Sequence, residues 1–280
     1  DNLFVMIELW KVINKGEVLE DESWSSNIKI KQTLDTLTSY PNEFWKYPVI
    51  IYYICYRKDK NFEDKFARFL NKLLAELMTK YILIPTINAV KGDILKLNSA
   101  IVVSDIPKFD FKELDQAQLE VGIQNPHRNV VRMLLKTLAY KHQDSLLPSK
   151  WEIEHIFPQK WQTNYFIDES DHKIREKIEH IGNKLPFEKK LNIIAGNGYF
   201  AKKKKEYAAS KIEITKENEK DYIFPEEESK GLNIFTGGKN EQLYIFTEGE
   251  ERNVYTFTEE DKEKLVMMTG EERNKAFVIT

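Results

Sequence analysis

From Phe62 to Tyr81 the apolar residues recur three or four positions apart: Phe62, Phe66, Phe69, Leu70, Leu73, Leu77 and Tyr81. That spacing places them on one face of an α-helix over "NFEDKFARFLNKLLAELMTKYIL". The run "NEFWKYPVIIYYICYRK" is apolar nearly all round, so it predicts a central, buried helix. Pro48 belongs in its first turn, where a missing N–H has no helical partner to lose. "HRNVVRMLLKTLAYKH" gives a further amphipathic helix through Val130, Leu134 and Leu138. Short polar connections join these segments, and "QNPHRN" is the clearest break. The first half therefore reads as a helical layer.

After "DSLLPSK" the texture changes. "WEIEHIF" alternates as a strand does and stops at Pro158. A polar loop carrying "NYFIDESDHK" follows, then the short strand segment "HIGNKLPF". "NGYFAKKKKEYAASKI" reads as a helix, with Asn197 positioned to cap its first free amides. Strand, long loop, strand and helix make a unit of about sixty residues. In the tail, Phe235, Phe246 and Phe257 stand at equal intervals of eleven, each followed by Thr. The aromatic–Thr pairs, separated by Gly- and Glu-rich turns, predict a three-stranded meander packed on the main body. "EEDKEKLVMM" is expected to close it as a helix.

Composition narrows the class. Over 280 residues, 41% are hydrophobic and 12% aromatic, enough to build a core. The formal charge is −3, so affinity for nucleic acid has to come from a local basic surface. The single cysteine, Cys55, lies inside "PVIIYYICY" and is expected to be a small buried hydrophobe. No intramolecular disulfide can form. No signal peptide is visible, and no apolar run approaches the roughly 20 residues of a membrane span. A cytoplasmic protein without a membrane partner is the expectation. The chain starts "DNLFVM", without an initiator Met, as a fragment of something longer would.

The tetrad Ile-Glu-His-Ile occurs twice, at Ile153–Ile156 and Ile178–Ile181. An acid beside a histidine is a pairing that metal-dependent hydrolysis uses. A general base takes a proton from water, and histidine, with a reference pKa of about 6.5, suits that role. Carboxylate and amide oxygens suit magnesium or manganese. Only the first tetrad has downstream partners in a sensible order: Asn183 in "GNKL", then Asn192 in "LNII".

Read in order, "EHIFPQ", "GNKL", "LN", then Asn197, Phe200, Lys203, Tyr207 and Ser210 resemble the His-Me finger (HNH, ββα-metal) nucleases. The version matched is the C-terminal nuclease domain of GmrSD-type, type IV modification-dependent restriction enzymes. The motifs span about Trp151–Lys211, and "YPNEFWKYPVII" is similar to the segment preceding this nuclease. The resemblance implies that His155 is the general base. It implies that Glu154 and Asn192 coordinate one divalent ion, Mg2+ or Mn2+. Asn183 would hold the histidine loop through side-chain to backbone hydrogen bonds, and Lys203 would face the phosphate. Glu179 and His180 of the second tetrad stand where the family has ordinary strand residues, and are expected to be structural.

Pattern and resemblance together predict an α+β fold with three parts. Residues 1–148 would be a helical domain, 149–215 a ββα-metal (HNH) nuclease core, and 216–280 a small β-rich C-terminal extension. Glu154 replaces the more usual Asp. Pro186 fits only an edge or bulge. Strict alternation would send Glu154 and His155 to opposite faces, so the strand has to twist or end at that point. From Lys184 to Lys211 there are eight lysines against two glutamates. A run of lysines is often a solvated face. Beside a nuclease centre, Lys184, Lys190, Lys202, Lys204 and Lys205 are expected to track a phosphate backbone without reading bases. His127, His142 and His172 have no ligand-like spacing and are expected at the surface.

The function expected is a metal-dependent endonuclease acting on DNA, the effector of a defence system against modified phage DNA. Enzymes of this type carry an N-terminal nucleotide-using domain with an Asp-Gly-Gln-Gln-Arg signature. No such string occurs in this chain, so that domain is expected on another chain or missing. Two alternatives stand beside this expectation. One is a decayed nuclease fold serving as a DNA-binding or scaffold module; the other is an RNA-cleaving toxin.

Overall fold

The computed structural model describes residues 2–111, 115–160, 170–198 and 200–217, and in the tail the backbone of 232–237, 242–247 and 254–256. The helices α1 (Asn2–Lys15), α2 (Ile28–Leu37), α3 (Lys46–Tyr56), α4 (Phe62–Leu83), α5 (Lys91–Val103), α6 (Gln116–Gln124) and α7 (Arg128–His142) come first. Then follow β1 (Trp151–His155), α8 (Asp171–Glu179), β2 (Lys184–Glu188), α9 (Lys189–Ala195), α10 (Phe200–Ala208) and α11 (Glu213–Glu217). The fold is mostly helical with a small two-stranded sheet, an α+β arrangement.

The helical layer is built on the predicted stripe. Phe62, Phe66, Phe69, Leu70, Leu73, Leu77 and Tyr81 are all buried on α4, each worth about 1.5–3 kcal/mol of apolar transfer. Tyr52 of α3 stacks on Phe69 with centroids 4.1 Å apart. Trp24 meets Tyr53 and Phe66 edge-on at 5.2 and 5.4 Å. Pro48 is buried in the first turn of α3, as its missing N–H requires. Cys55, by contrast, is exposed. Pro48, Val49, Tyr52 and Tyr53 take the buried face of α3, so an apolar run is not buried on every side.

Helix α7 joins two cores. Val130, Met133 and Leu134 enter the core of the helical layer. Val131, Leu135, Ala139 and Tyr140 form a second cluster with Leu147, Trp151 and Ile212. That second cluster crosses residue 148, so β1 and α11 share a packed surface with α7. Lys136 of α7 reaches Asp35 of α2 at 2.9 Å, and the Tyr140 hydroxyl bonds the same carboxylate oxygen. His142 is half-buried and pairs with Glu217 of α11 at 2.8 Å, rather than lying free at the surface.

Strands β1 and β2 pair antiparallel, with Trp151 opposite Glu188 and His155 opposite Lys184. The ladder runs from Ile156 N to Asn183 O at one end to Lys189 N to Lys150 O at the other, both 3.0 Å. Hydrogen-bonded pairs alternate along such a ladder, so Ile153 and Pro186 form a non-hydrogen-bonded pair. The proline nitrogen faces away from β1 and its missing donor removes no ladder bond. Its carbonyl accepts from Thr215 Oγ1 at 2.5 Å.

Two local expectations differ. Asp171–Glu179 is helix α8, where a loop was expected; Ser170 caps it and Ile174 and Ile178 are its buried residues. Helix α10 begins at Phe200, so Asn197 lies in the preceding turn rather than at the capping position. In the tail, strands β3 (Leu232–Gly237), β4 (Gln242–Thr247) and β5 (Val254–Thr256) pair antiparallel in that order. Phe257 and the helix expected over Glu259–Met268 lie outside the described residues, as do 161–169 in the loop after Pro158.

Candidate active site

The hairpin is covered on both faces. Trp151 and Ile153 of β1 pack toward α7. Ile156, Leu185 and Phe187 pack with Ala195 of α9 and with Phe200 and Tyr207 of α10. Alternation therefore sends Glu154 toward α10 and His155 to the other face, at the end of its strand.

Glu154 is 3% exposed. Its Oε1 accepts from Lys203 Nζ at 2.6 Å and from the Tyr207 hydroxyl at 2.8 Å. Phe200, Lys203 and Tyr207 stand at helical spacing on the inner face of α10. Lys203 is 1% exposed and also donates to the His155 carbonyl at 2.5 Å and the Ile156 carbonyl at 3.4 Å. One ammonium thus ties the carboxylate to two successive backbone carbonyls, those of His155 and Ile156. Burial holds the Lys203 ammonium below its usual range, and Glu154 opposes that shift. Lys203 is turned inward, toward Glu154 and the His155 carbonyl.

His155 is half-buried. Gln159 Nε2 lies 3.3 Å from His155 Nε2. Burial pushes the imidazole down to about 4; Lys184 and Lys203 push the same way and Glu179 opposes. The ring is neutral at ordinary pH, the form a base needs.

After His155 the chain turns sharply, and Asn183 fixes the turn. Its Oδ1 accepts from Phe157 N at 2.7 Å, and its Nδ2 donates to the Phe157 carbonyl at 3.1 Å and the Ile178 carbonyl at 3.0 Å. These are side-chain to backbone bonds of the kind expected for this residue. Asn192 is half-buried on α9, whose Leu191 and Ala195 pack in the cluster on the Glu154 face. Gly196 ends that helix at φ 54°, ψ −145°, a conformation open essentially to glycine.

A carboxylate and an amide from the same side of the hairpin fit a hard divalent ion in their chemistry. Magnesium is commonly held by one or two carboxylates, with water and substrate phosphate completing its shell. Glu154 Oε1 already has Lys203 and Tyr207 as donors, so an ion would share this carboxylate with an ammonium. Among the described residues there is no group of three His, Cys, Asp or Glu able to hold a metal.

The lysines separate into two sets. Lys190, Lys202 and Lys205 are exposed and Lys204 is half-buried. Lys184 is 5% exposed, and its Nζ donates to the Glu179 carbonyl at 2.5 Å and carboxylate at 2.7 Å. It is buried, unlike the other four lysines of the expected basic set. Tyr207 and Gln159, which had no assigned role, bond Glu154 and His155 respectively. The phase of Phe200, Lys203 and Tyr207 along α10 was the available signal for the first. Among curated proteins and among solved structures, nothing matches the chain. Residues 108–230, which carry the hairpin and all the side chains above, match the family model for GmrSD restriction endonucleases, C-terminal domain, and this supports a place for the segment in that family.

Proposed function

We propose that this chain is a metal-dependent endonuclease of the restriction type, with a ββα-metal (HNH) core that hydrolyses DNA phosphodiester bonds. The family match over residues 108–230 is the observation that carries the nuclease activity and DNA as its substrate. The match describes restriction endonucleases, which fits a role against foreign, modified DNA. In this proposal His155 Nε2 takes the proton from the attacking water. Gln159 Nε2 lies against that nitrogen in the free protein, and substrate water would replace it. Asn183 keeps the turn after the base rigid, so that Nε2 is presented in one orientation. Glu154 and Asn192 would hold one Mg2+ or Mn2+. When bound, that ion would offset charge on the phosphate and the departing oxygen. Lys203 fixes the Glu154 carboxylate and the backbone of the base from behind. Lys190, Lys202, Lys204 and Lys205 would contact phosphates, giving salt-sensitive binding with no base preference.

One observation favours a second reading, a DNA-binding module without cleavage: the Glu154 carboxylate is buried and already bonded to Lys203 and Tyr207. Incubating supercoiled plasmid with the full chain in Mg2+ or Mn2+, against EDTA and against His155→Ala, separates the two. Nicking that needs metal and His155 supports the enzyme. Retained binding with no cleavage by either protein supports the module.

A further inference from the structure

The second Ile-Glu-His-Ile tetrad reaches the first one in space. Glu179 is the last residue of α8, and Lys184 opens β2 directly opposite His155. Hydrogen-bonded pairs alternate along this ladder and include Ile156 with Asn183. His155 and Lys184 are therefore a non-hydrogen-bonded pair, the kind in which cross-strand side chains lie closest, with Cβ atoms about 4.5–5.5 Å apart. They share one face of the hairpin.

Lysine is almost never buried this fully unless its ammonium is paired. Here the pairing is specific. Nζ donates to the main-chain carbonyl of Glu179 at 2.5 Å and to its carboxylate at 2.7 Å. The carbonyl is one of the last of α8, where a cation is favoured. The adjacent residue, Asn183, bonds the Ile178 carbonyl of the same helix end and the Phe157 backbone beyond His155. Two consecutive residues thus join the end of α8 to the strand that carries the base. A lysine stem held at its ammonium end cannot swing. Its position is across the ladder from His155, while Gln159 meets Nε2.

We infer that Lys184, locked by Glu179, is a positioning residue that fixes the ring orientation of His155. The inference rests on the proposed role of His155 as the base. Lys184 touches no reacting atom. It acts by limiting rotation of the imidazole, and Glu179 acts on Lys184. Losing the Glu179 carboxylate leaves the carbonyl contact in place, so that change has the smaller effect.

The test uses the full chain labelled with 13C and 15N in its five histidines, as wild type, Lys184→Met, Lys184→Arg and Glu179→Gln. His155 signals are assigned with His155→Ala. In Lys184→Met the ring resonances of His155 are expected to move or broaden, with those of His127, His142 and His172 unchanged. Lys184→Arg returns them toward the wild-type positions, and Glu179→Gln gives a smaller change of the same kind. In plasmid cleavage, kcat of Lys184→Met falls roughly tenfold with KM within about twofold, the signature of a misplaced base. His155 signals that stay in place in folded Lys184→Met overturn the inference, and so do signals of all five histidines moving together. Should Lys184→Met fail to fold, the Glu179→Gln spectrum decides by the same criteria. The spectra do not depend on cleavage. A wild-type chain that cuts no DNA refutes the proposed activity, and the spectra still judge the positioning of the ring.

Discussion

Replacing Lys203 by Met keeps most of the side-chain volume and removes only the ammonium. In the wild type that ammonium lies 2.6 Å from Glu154 Oε1 and 2.5 Å from the His155 carbonyl, in a site where neither charged side chain sees appreciable solvent. Removing one member of a buried pair strands the other, at about 3–5 kcal/mol. The Tyr207 hydroxyl still donates to Glu154, so the lower part of that range applies. The His155 carbonyl also loses a donor, worth about 1 kcal/mol, which does not simply add because the groups share one network. A loss of about 3–4 kcal/mol corresponds to a fall in Tm of roughly 6–16 °C at about 2–4 °C per kcal/mol. Urea unfolding followed by tryptophan fluorescence gives the difference, with a lower midpoint and an unchanged slope. The double variant Glu154→Gln with Lys203→Met strands no charge and should recover at least about 2 kcal/mol. A single variant within about 1 kcal/mol of wild type refutes the reasoning, as does a double variant no more stable than the single one.

Four further outcomes are expected. In metal-free buffer, the depressed His155 pKa means the folded chain binds fewer protons than the unfolded chain between about pH 6.5 and 4. Its contribution to stability is present above about pH 6.5 and lost as pH falls through about 4, and His155→Phe should flatten that part of the stability–pH curve. Gly196→Ala should lose about 1–3 kcal/mol by denaturant titration, although a Cβ there meets nothing closer than 3.8 Å; the cost comes from the backbone angles alone. Asn183→Ala removes three hydrogen bonds around the turn. It should cut the cleavage rate at least about tenfold while circular dichroism still reports a folded chain. Lys202→Glu with Lys205→Glu should leave stability within about 0.5 kcal/mol. The slope of log affinity for duplex DNA against log salt should become shallower by about 1.8, measured by fluorescence anisotropy.

What could be read from the residues follows from how strongly each position is constrained by its own neighbourhood in sequence. The α4 stripe was legible because seven apolar side chains repeat over five turns, and a surface helix has no other use for them. Helix α8 was not, because Ile174 and Ile178 are its only buried residues in a segment otherwise charged. Its start depends on the Ser170 cap rather than on hydrophobicity. Strand β1, its end before Pro158 and the special place of Pro186 were all visible in the alternation. The lysine run misled in part, since charge says nothing of helical phase. Lys203 stands three residues after Phe200 and four before Tyr207, which turns it inward, whereas Lys202 and Lys205 face out. Lys184 could not have been found in the same way. Its partner is the carbonyl and carboxylate of a helix end that the sequence did not announce. Of the site, the order Glu154, His155, Asn183, Asn192 was visible, but the pairing of Glu154 with Lys203 and Tyr207 is a tertiary fact.

Single-turnover cleavage of a labelled DNA duplex, with binding measured separately in Ca2+, tests the central claim most directly. If His155 ionises the attacking water, wild-type chain cuts in Mg2+ or Mn2+ and His155→Ala binds equally well but cuts at least about a hundredfold more slowly. Equal cleavage by the two proteins, or bound duplex left intact by the wild type in both metals, contradicts it.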